Sequence, residues 1–178
     1  HDLAMVTNWP FAIIAIGFIA YVPGFMNAFL LSTLAFDRRP KRVRPTSYPG
    51  VTVLVAAYNE EESIRDTLRS LAGQDYPGPF QVLVLNDGSK DETVARARAA
   101  LSELELPPNA TFEILDFAIN QGKSVVLNRG LTQAEHELVV TVDGDSWLRF
   151  DGLTQIVERL LADPGDTQAV AGAVMVRN

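Results

Sequence analysis

Four short polar clusters carry the residues able to do chemistry, and each follows an apolar run. The most pointed is Asp143-Gly144-Asp145, which ends Leu138-Val139-Val140-Thr141-Val142. Carboxylates seldom close a buried strand unless they are paired, hydrogen-bonded or bound to metal. Two of them one residue apart offer hard oxygen ligands to a divalent cation, and Gly144 lets the backbone between them turn sharply. An ordinary Asp-Gly turn is the competing reading of the same residues. Asp87-Gly88-Ser89 follows the run Phe80 to Asn86. A carboxylate at Asp87 can accept from a ring N–H or a ribose hydroxyl, or it can cap the next helix, as can Ser89. Asn120-Gln121-Gly122-Lys123 places a lysine where it can reach a phosphate as a point charge. It is otherwise a surface lysine in a helix first turn, where the dipole disfavours a cation. Tyr58-Asn59-Glu60 follows Val51 to Ala57. There Tyr58 either lies flat against a base or closes the sheet edge, and Glu60 is either a site residue or a first-turn acid.

Several chemistries are excluded. Gln121-Gly122-Lys123-Ser124 lacks the glycine five positions earlier that a nucleoside-triphosphate loop needs, because Phe117 stands there. Ala56-Ala57-Tyr58-Asn59 has no glycine fingerprint for nicotinamide or flavin dinucleotides. There is no cysteine, hence no disulfide framework or thiolate metal site. No Ser/His/Asp arrangement is evident, and His136 is assigned no role.

The elements that must position these residues alternate. Strands are expected over Val51–Ala57, Phe80–Leu85, Thr111–Phe117, Leu138–Val142 and Ala169–Val176. Helices are expected after Asn59, as the cap, through Leu71, then over Asp91–Leu104, Ser124–Ala134 and Asp151–Ala162. Near-continuous apolar strands alternating with helices imply an α/β fold, a mostly parallel sheet covered by helices on both faces. Right-handed crossovers put every strand's carboxyl end on one edge, where open α/β sheets bind ligands. All four polar clusters fall on that edge.

The first fifty residues are different. No charge occurs from Asn8 to Phe36, a run of about 40 Å as a helix, long enough to cross a bilayer. It is expected to be a transmembrane segment, about 9–36, kinked or divided at Pro23-Gly24. A signal peptide and a buried soluble hairpin are the alternatives. Five basic residues within Arg38–Arg44 make 37–50 a basic cytoplasmic linker by the positive-inside pattern. From Pro45 onward there are 10 basic and 20 acidic residues. A domain that acidic is not expected to bind nucleic acid, so any phosphate binding must be local. The chain of 178 residues carries a net charge of −7.

Val53-Leu54-Val55-Ala56-Ala57-Tyr58-Asn59-Glu60-Glu61, Val84-Leu85-Asn86-Asp87-Gly88-Ser89-Lys90-Asp91, Asn120-Gln121-Gly122-Lys123 and Val142-Asp143-Gly144-Asp145 together resemble the family-2 inverting glycosyltransferases of GT-A fold, over Val51 to about Asn178. With a preceding membrane helix they resemble the processive membrane synthases of poly-N-acetylglucosamine, chitin, hyaluronan and cellulose, and lean towards the first. The resemblance implies a donor-binding half of such an enzyme over 51–178, incomplete at its C-terminus. It implies a UDP-sugar donor held by Ala57, Tyr58, Glu60, Asp87, Lys123 and Asp143, and Mg2+ or Mn2+ held by Asp145 and Asp143. It also implies a polysaccharide or lipid-linked acceptor and an inner-membrane location with the catalytic domain cytoplasmic. Members place a catalytic carboxylate downstream, so the general base is expected beyond Asn178 and no catalytic residue within this chain. Three alternatives are a non-processive enzyme acting on a lipid carrier, a non-catalytic nucleotide-sugar module and a nucleotidyltransferase.

Overall fold

A computed structural model describes residues 9–36, 44–163 and 165–172. The chain divides into two units, one through Lys41 and one from Arg42.

In the first unit, α1 (Trp9–Ile16), a π-helical stretch (Gly17–Tyr21) and α2 (Val22–Phe36) run on as helix. The helix is not divided at Pro23-Gly24; a π stretch stands one turn earlier. Proline has no N–H and its ring crowds the carbonyl four residues back, and a widened turn relieves that crowding. The Val22 amide accordingly donates to the Gly17 carbonyl. Ser32 and Thr33 hydroxyls donate back to the Ala28 and Leu30 carbonyls, 2.7 and 2.8 Å. Ile13–Phe36 has a mean hydropathy of 1.9, none of that helix is buried, and it does not fold back as a hairpin.

The second unit contains β1 (Val51–Ala57), α3 (Ile64–Ala72), β2 (Phe80–Asp87), α4 (Thr93–Glu103), β3 (Ala110–Phe117), α5 (Lys123–Leu131), β4 (Leu138–Asp143) and α6 (Gly152–Ala162). The sheet order is β3-β2-β1-β4 and every pair is parallel. The strand order reverses between β1 and β4. Right-handed crossovers therefore set α3 and α4 on one face and α5 on the other. Strand alternation supplies both cores. Val51, Val53, Val55, Val82 and Val84 meet Ile64, Leu68 and Leu71 of α3 and Leu153 and Val157 of α6. Leu54, Leu83 and Leu85 meet Val126 of α5. At the start of this unit Tyr76 and Tyr48 meet edge to face, 5.7 Å between centroids. Tyr48 donates to Glu158, 2.6 Å, and Tyr76 to the Pro49 carbonyl, 2.5 Å.

Three local expectations give way. Asn59 does not cap α3, which begins at Ile64. Its φ of +56° is left-handed, a conformation asparagine tolerates better than most. Its side chain instead accepts from the Lys90 amide, 2.9 Å. β4 is not a buried strand: only Val142 is buried and Val139 is 36% exposed, because β4 edges the described sheet. Residues 169–172 form no strand, and the rest of the expected fifth strand lies outside the described residues.

Candidate functional site

The register fixes where the site must be. Ala56 pairs with Asp143 and Ala57 with Asn86, so the strands end level. At the β1/β4 reversal the flanking loops part, and open α/β sheets bind ligands in such a crevice. A cleft of about 320 Å³ opens there, and Ala57, Tyr58, Glu60, Asp87, Lys123, Asp143 and Asp145 all line it. Every site residue expected from the sequence is thus brought into one concavity. Ala56, Asn120, Gly122, Val126 and Gly144 complete the lining.

Asp87 is 4% exposed. Its two carboxylate oxygens accept from the Gln121 amide at 2.7 Å and the Gly122 amide at 2.8 Å. It caps no helix; the carboxylate closes the turn that delivers Lys123. Gly122 has φ +90° at that turn and Gly88 has φ +68° beside it. The N-cap of α4 is Glu92, which makes no side-chain bond there, and just ahead of it Asp91 Oδ1 accepts from the Thr93 amide, 3.0 Å. Burial works to raise the Asp91 carboxyl, but bonds from the Thr93 hydroxyl and amide and the Glu61 amide outweigh it and hold the carboxyl below its usual range.

Lys123 opens α5 and pairs with Asp143 across the cleft mouth, both side chains about half exposed. Glu60 accepts from the Ser63 hydroxyl, 2.7 Å, while its amide donates to Thr93 Oγ1, 2.8 Å. Tyr58 is 42% exposed, its ring left open to the cleft.

The Asp143-Gly144-Asp145 turn is fastened on both sides. The Gly144 amide donates to the Ala56 carbonyl, 2.8 Å, and its carbonyl accepts from Thr67, 2.7 Å. Room around Gly144 is tight. A Cβ would lie 3.1 Å from the Ala56 carbonyl oxygen, Ala57 Cβ and Glu60 Cγ, and no left-handed φ is involved. Asp145 is exposed and its side chain has no hydrogen bond or ion pair among the described residues.

That donor set suits one kind of metal. Among the described residues no group of three or more His, Asp or Glu gathers into a cage. One or two carboxylates fit Mg2+ or Mn2+ when substrate phosphates supply further oxygens. Asp145, with Asp143 beside it, matches that pattern.

Sequence reasoning missed Thr67, Ser70 and Gln74. Buried on α3 or, for Gln74, just past its C-cap Gly73, they bond to the backbone of Gly144, Leu148, Arg149 and Leu153. Their spacing of i, i+3, i+7 beside Ile64, Leu68 and Leu71 was the available signal.

Comparison with known proteins bears on this geometry. The chain is 33% identical over 161 residues to a poly-beta-1,6-N-acetyl-D-glucosamine synthase of Staphylococcus epidermidis, covering 90% of this chain and 37% of that one. A Staphylococcus aureus protein of the same name is 29% identical over 174 residues, covering 90% and 40%. The chain thus spans well under half of these relatives. Among solved structures it resembles the mannosyltransferase PcManGT from Pyrobaculum calidifontis in complex with GDP-Man and Mn2+, with TM-score 0.66 and 30% identity over 82% of this chain and 43% of that one. It also resembles S. aureus TarS 1-349 in complex with UDP-GlcNAc, with TM-score 0.53 and 28% identity over 63% and 32%. The Glycosyl transferase family 2 profile matches residues 52–178. A parallel sheet with its polar loops on one edge, and that match over most of the chain, place this protein in glycosyl transferase family 2.

Proposed function

We propose that the cleft binds the donor of a metal-dependent inverting glycosyltransferase: a UDP-sugar, specifically UDP-N-acetylglucosamine, whose sugar passes to a growing polysaccharide. Charge balance carries the proposal. Glu60, Asp87, Asp143 and Asp145 face one lysine, Lys123, in a cleft of about 320 Å³. Four carboxylates against one ammonium repel a bare diphosphate, whereas a divalent cation reconciles the two.

Each residue then has a task. Asp145 and Asp143 hold the cation, and Asp143 also meets ribose or sugar. Lys123 leaves its ion pair with Asp143 and turns to the diphosphate. Tyr58 offers a flat face to the base, beside Ala57 and Glu60. Asp87 keeps the Lys123 turn closed and contributes to the uracil and ribose pocket. When bound, the cation neutralises charge on the departing nucleoside diphosphate.

The apolar helix is proposed to anchor the enzyme in the inner membrane, with the family-2 domain cytoplasmic. Ile13–Phe36 is 24 residues, close to the length that spans a bilayer core.

Isothermal titration of UDP with and without Mn2+ tests the donor site. Binding that requires Mn2+ and disappears in Asp145→Ala is expected. Equal UDP affinity with and without metal would sink the proposal. GDP is titrated in parallel, since PcManGT was solved with GDP-Man; preference for GDP would overturn the choice of UDP while leaving the metal site intact.

A further inference from the structure

The turn between the two aspartates is held from behind, by α3. Asp143 is the last residue of β4 and its backbone is set by pairing with Ala56. Asp145 lies past the end of the sheet, and its side chain is held by nothing among the described residues. Its position therefore depends on the peptide units before it. Gly144 supplies one anchor through its amide, to the Ala56 carbonyl, and another through its carbonyl, from Thr67 Oγ1. Thr67 is 1% exposed, so water cannot replace that hydroxyl.

The bond belongs to a longer rail. One turn on, Ser70 Oγ accepts from the Leu148 amide, 3.0 Å. Just past the helix, Gln74 Nε2 donates to the Arg149 carbonyl, 2.8 Å, and Gln74 Oε1 accepts from the Leu153 amide, 2.9 Å. Two polar side chains of α3 and one just past its end thus hold the stretch between Gly144 and Leu153, whose first eight residues have no helix or strand of their own. A helix with only packing to do would carry aliphatic residues at buried positions beside Ile64, Leu68 and Leu71.

We propose that Thr67 is a positioning residue for the metal-binding carboxylates: by fixing the Gly144 carbonyl it sets the placement of Asp145 relative to Asp143. The proposal rests on the donor-site reading above. Metal–ligand bond lengths hold to within about 0.2 Å of their ideal values. Without the hydroxyl, the turn relaxes and the cation is held less well. Tyr58, after β1, and Asp87, at the end of β2, are untouched.

The test uses the full chain and titrates Mn2+ against UDP binding. In Thr67→Val, which keeps the shape and removes the hydroxyl, the Mn2+ concentration for half-maximal binding is expected to rise about tenfold, equivalent to ~1.4 kcal/mol. UDP affinity at saturating Mn2+ is expected to return to the parent value, and Thr67→Ser is expected to restore the Mn2+ midpoint. Thr67→Ala stands in if the valine variant does not fold. Thr52→Val is the matched control. Thr52 is also fully buried and its hydroxyl also bonded, to Gln81 at 2.9 Å, but at the amino-terminal end of β1. Its Mn2+ midpoint should not move. Equal shifts at Thr52 and Thr67 would mean general loosening and overturn the proposal. An unmoved midpoint in both hydroxyl-free Thr67 variants, with Asp145→Ala still abolishing metal-dependent binding, would overturn this inference alone. Metal dependence surviving in Asp145→Ala would overturn the donor site and the inference with it.

Discussion

Gly88→Ala measures how much of the cleft depends on Asp87 gripping the turn before Lys123. Gly88 has φ +68°, and an added Cβ would stand 2.5 Å from the Asn120 amide nitrogen and 2.7 Å from the Ile119 carbonyl carbon, both backbone. The left-handed conformation alone costs an alanine about 1–2 kcal/mol. Reaching ordinary contact requires the 119–120 backbone to retreat by roughly 1 Å, taking contact as beginning near 3.4 Å. That movement carries the Gln121 and Gly122 amides away from Asp87, to which they donate at 2.7 and 2.8 Å. Bonds to a charged acceptor contribute about 1.5–3 kcal/mol each, so with water recovering part of the loss the total is about 4 kcal/mol. Gly122→Ala is the comparison. It has φ +90° and ψ +148°, close to a region essentially reserved for glycine, so an alanine there bears a conformational cost of up to about 3 kcal/mol, but nothing lies within 4 Å of the new Cβ. Urea unfolding followed by circular dichroism should show Gly88→Ala less stable than Gly122→Ala by about 2 kcal/mol, on the same clash reasoning. Losses of the same size in both variants would refute the reasoning, since the clash and the grip would then contribute nothing.

Other outcomes follow from single contacts. Lys123→Ala should change stability by less than about 0.5 kcal/mol, because an exposed ion pair contributes little, yet weaken Mn2+-dependent UDP binding about tenfold if Lys123 reaches the diphosphate; calorimetry reads the affinity and urea unfolding the stability. Burial, then the neighbouring Tyr48, push the Tyr76 hydroxyl up to about 12 from its usual 10. A raised folded value gives stability that is complete below pH 10 and lost as pH rises towards 12. Alkaline unfolding should therefore steepen across pH 10–12 and flatten in Tyr76→Phe. Asp91 has the opposite sign: its lowered carboxyl gives stability present above about pH 4 and lost on further acidification. Asp91→Asn should remove that acid-side slope in pH-dependent urea titrations.

What could be read from residue order was whatever depends on local pattern and on the handedness of crossovers. β-branched runs named four strands, and the crossover rule sent Tyr58, Asp87, Lys123 and Asp143 to one edge before any coordinate placed them there. What could not be read depends on which atoms meet once the loops fold over one another. Asn59 is expected to cap α3 and Asp87 or Ser89 to cap α4, and contacts between the two loops, thirty residues apart, settle otherwise. Asp87 looked like either a cap or a ligand because a sequence does not show that two amides arrive from the end of another strand. The function of Gly144 was misjudged for a similar reason, since crowding against Ala56, Ala57 and Glu60 is a tertiary fact. β4 read as buried because its aliphatic content says nothing about standing at an edge.

The order of the strands also has a kinetic side. β1 pairs with β2 about thirty residues along the chain, and β2 with β3 about thirty more, but β1 meets β4 only after almost ninety. Tripling the length of a closing loop adds about 1 kcal/mol of entropy, so β3-β2-β1 should assemble first and β4 dock last. During synthesis the Asp87 turn then takes shape before Asp143 and Asp145 have a strand to hold them. The two carboxylates arrive at a surface that is already built, and no cleft exists to bind a donor until the sheet has closed its longest connection.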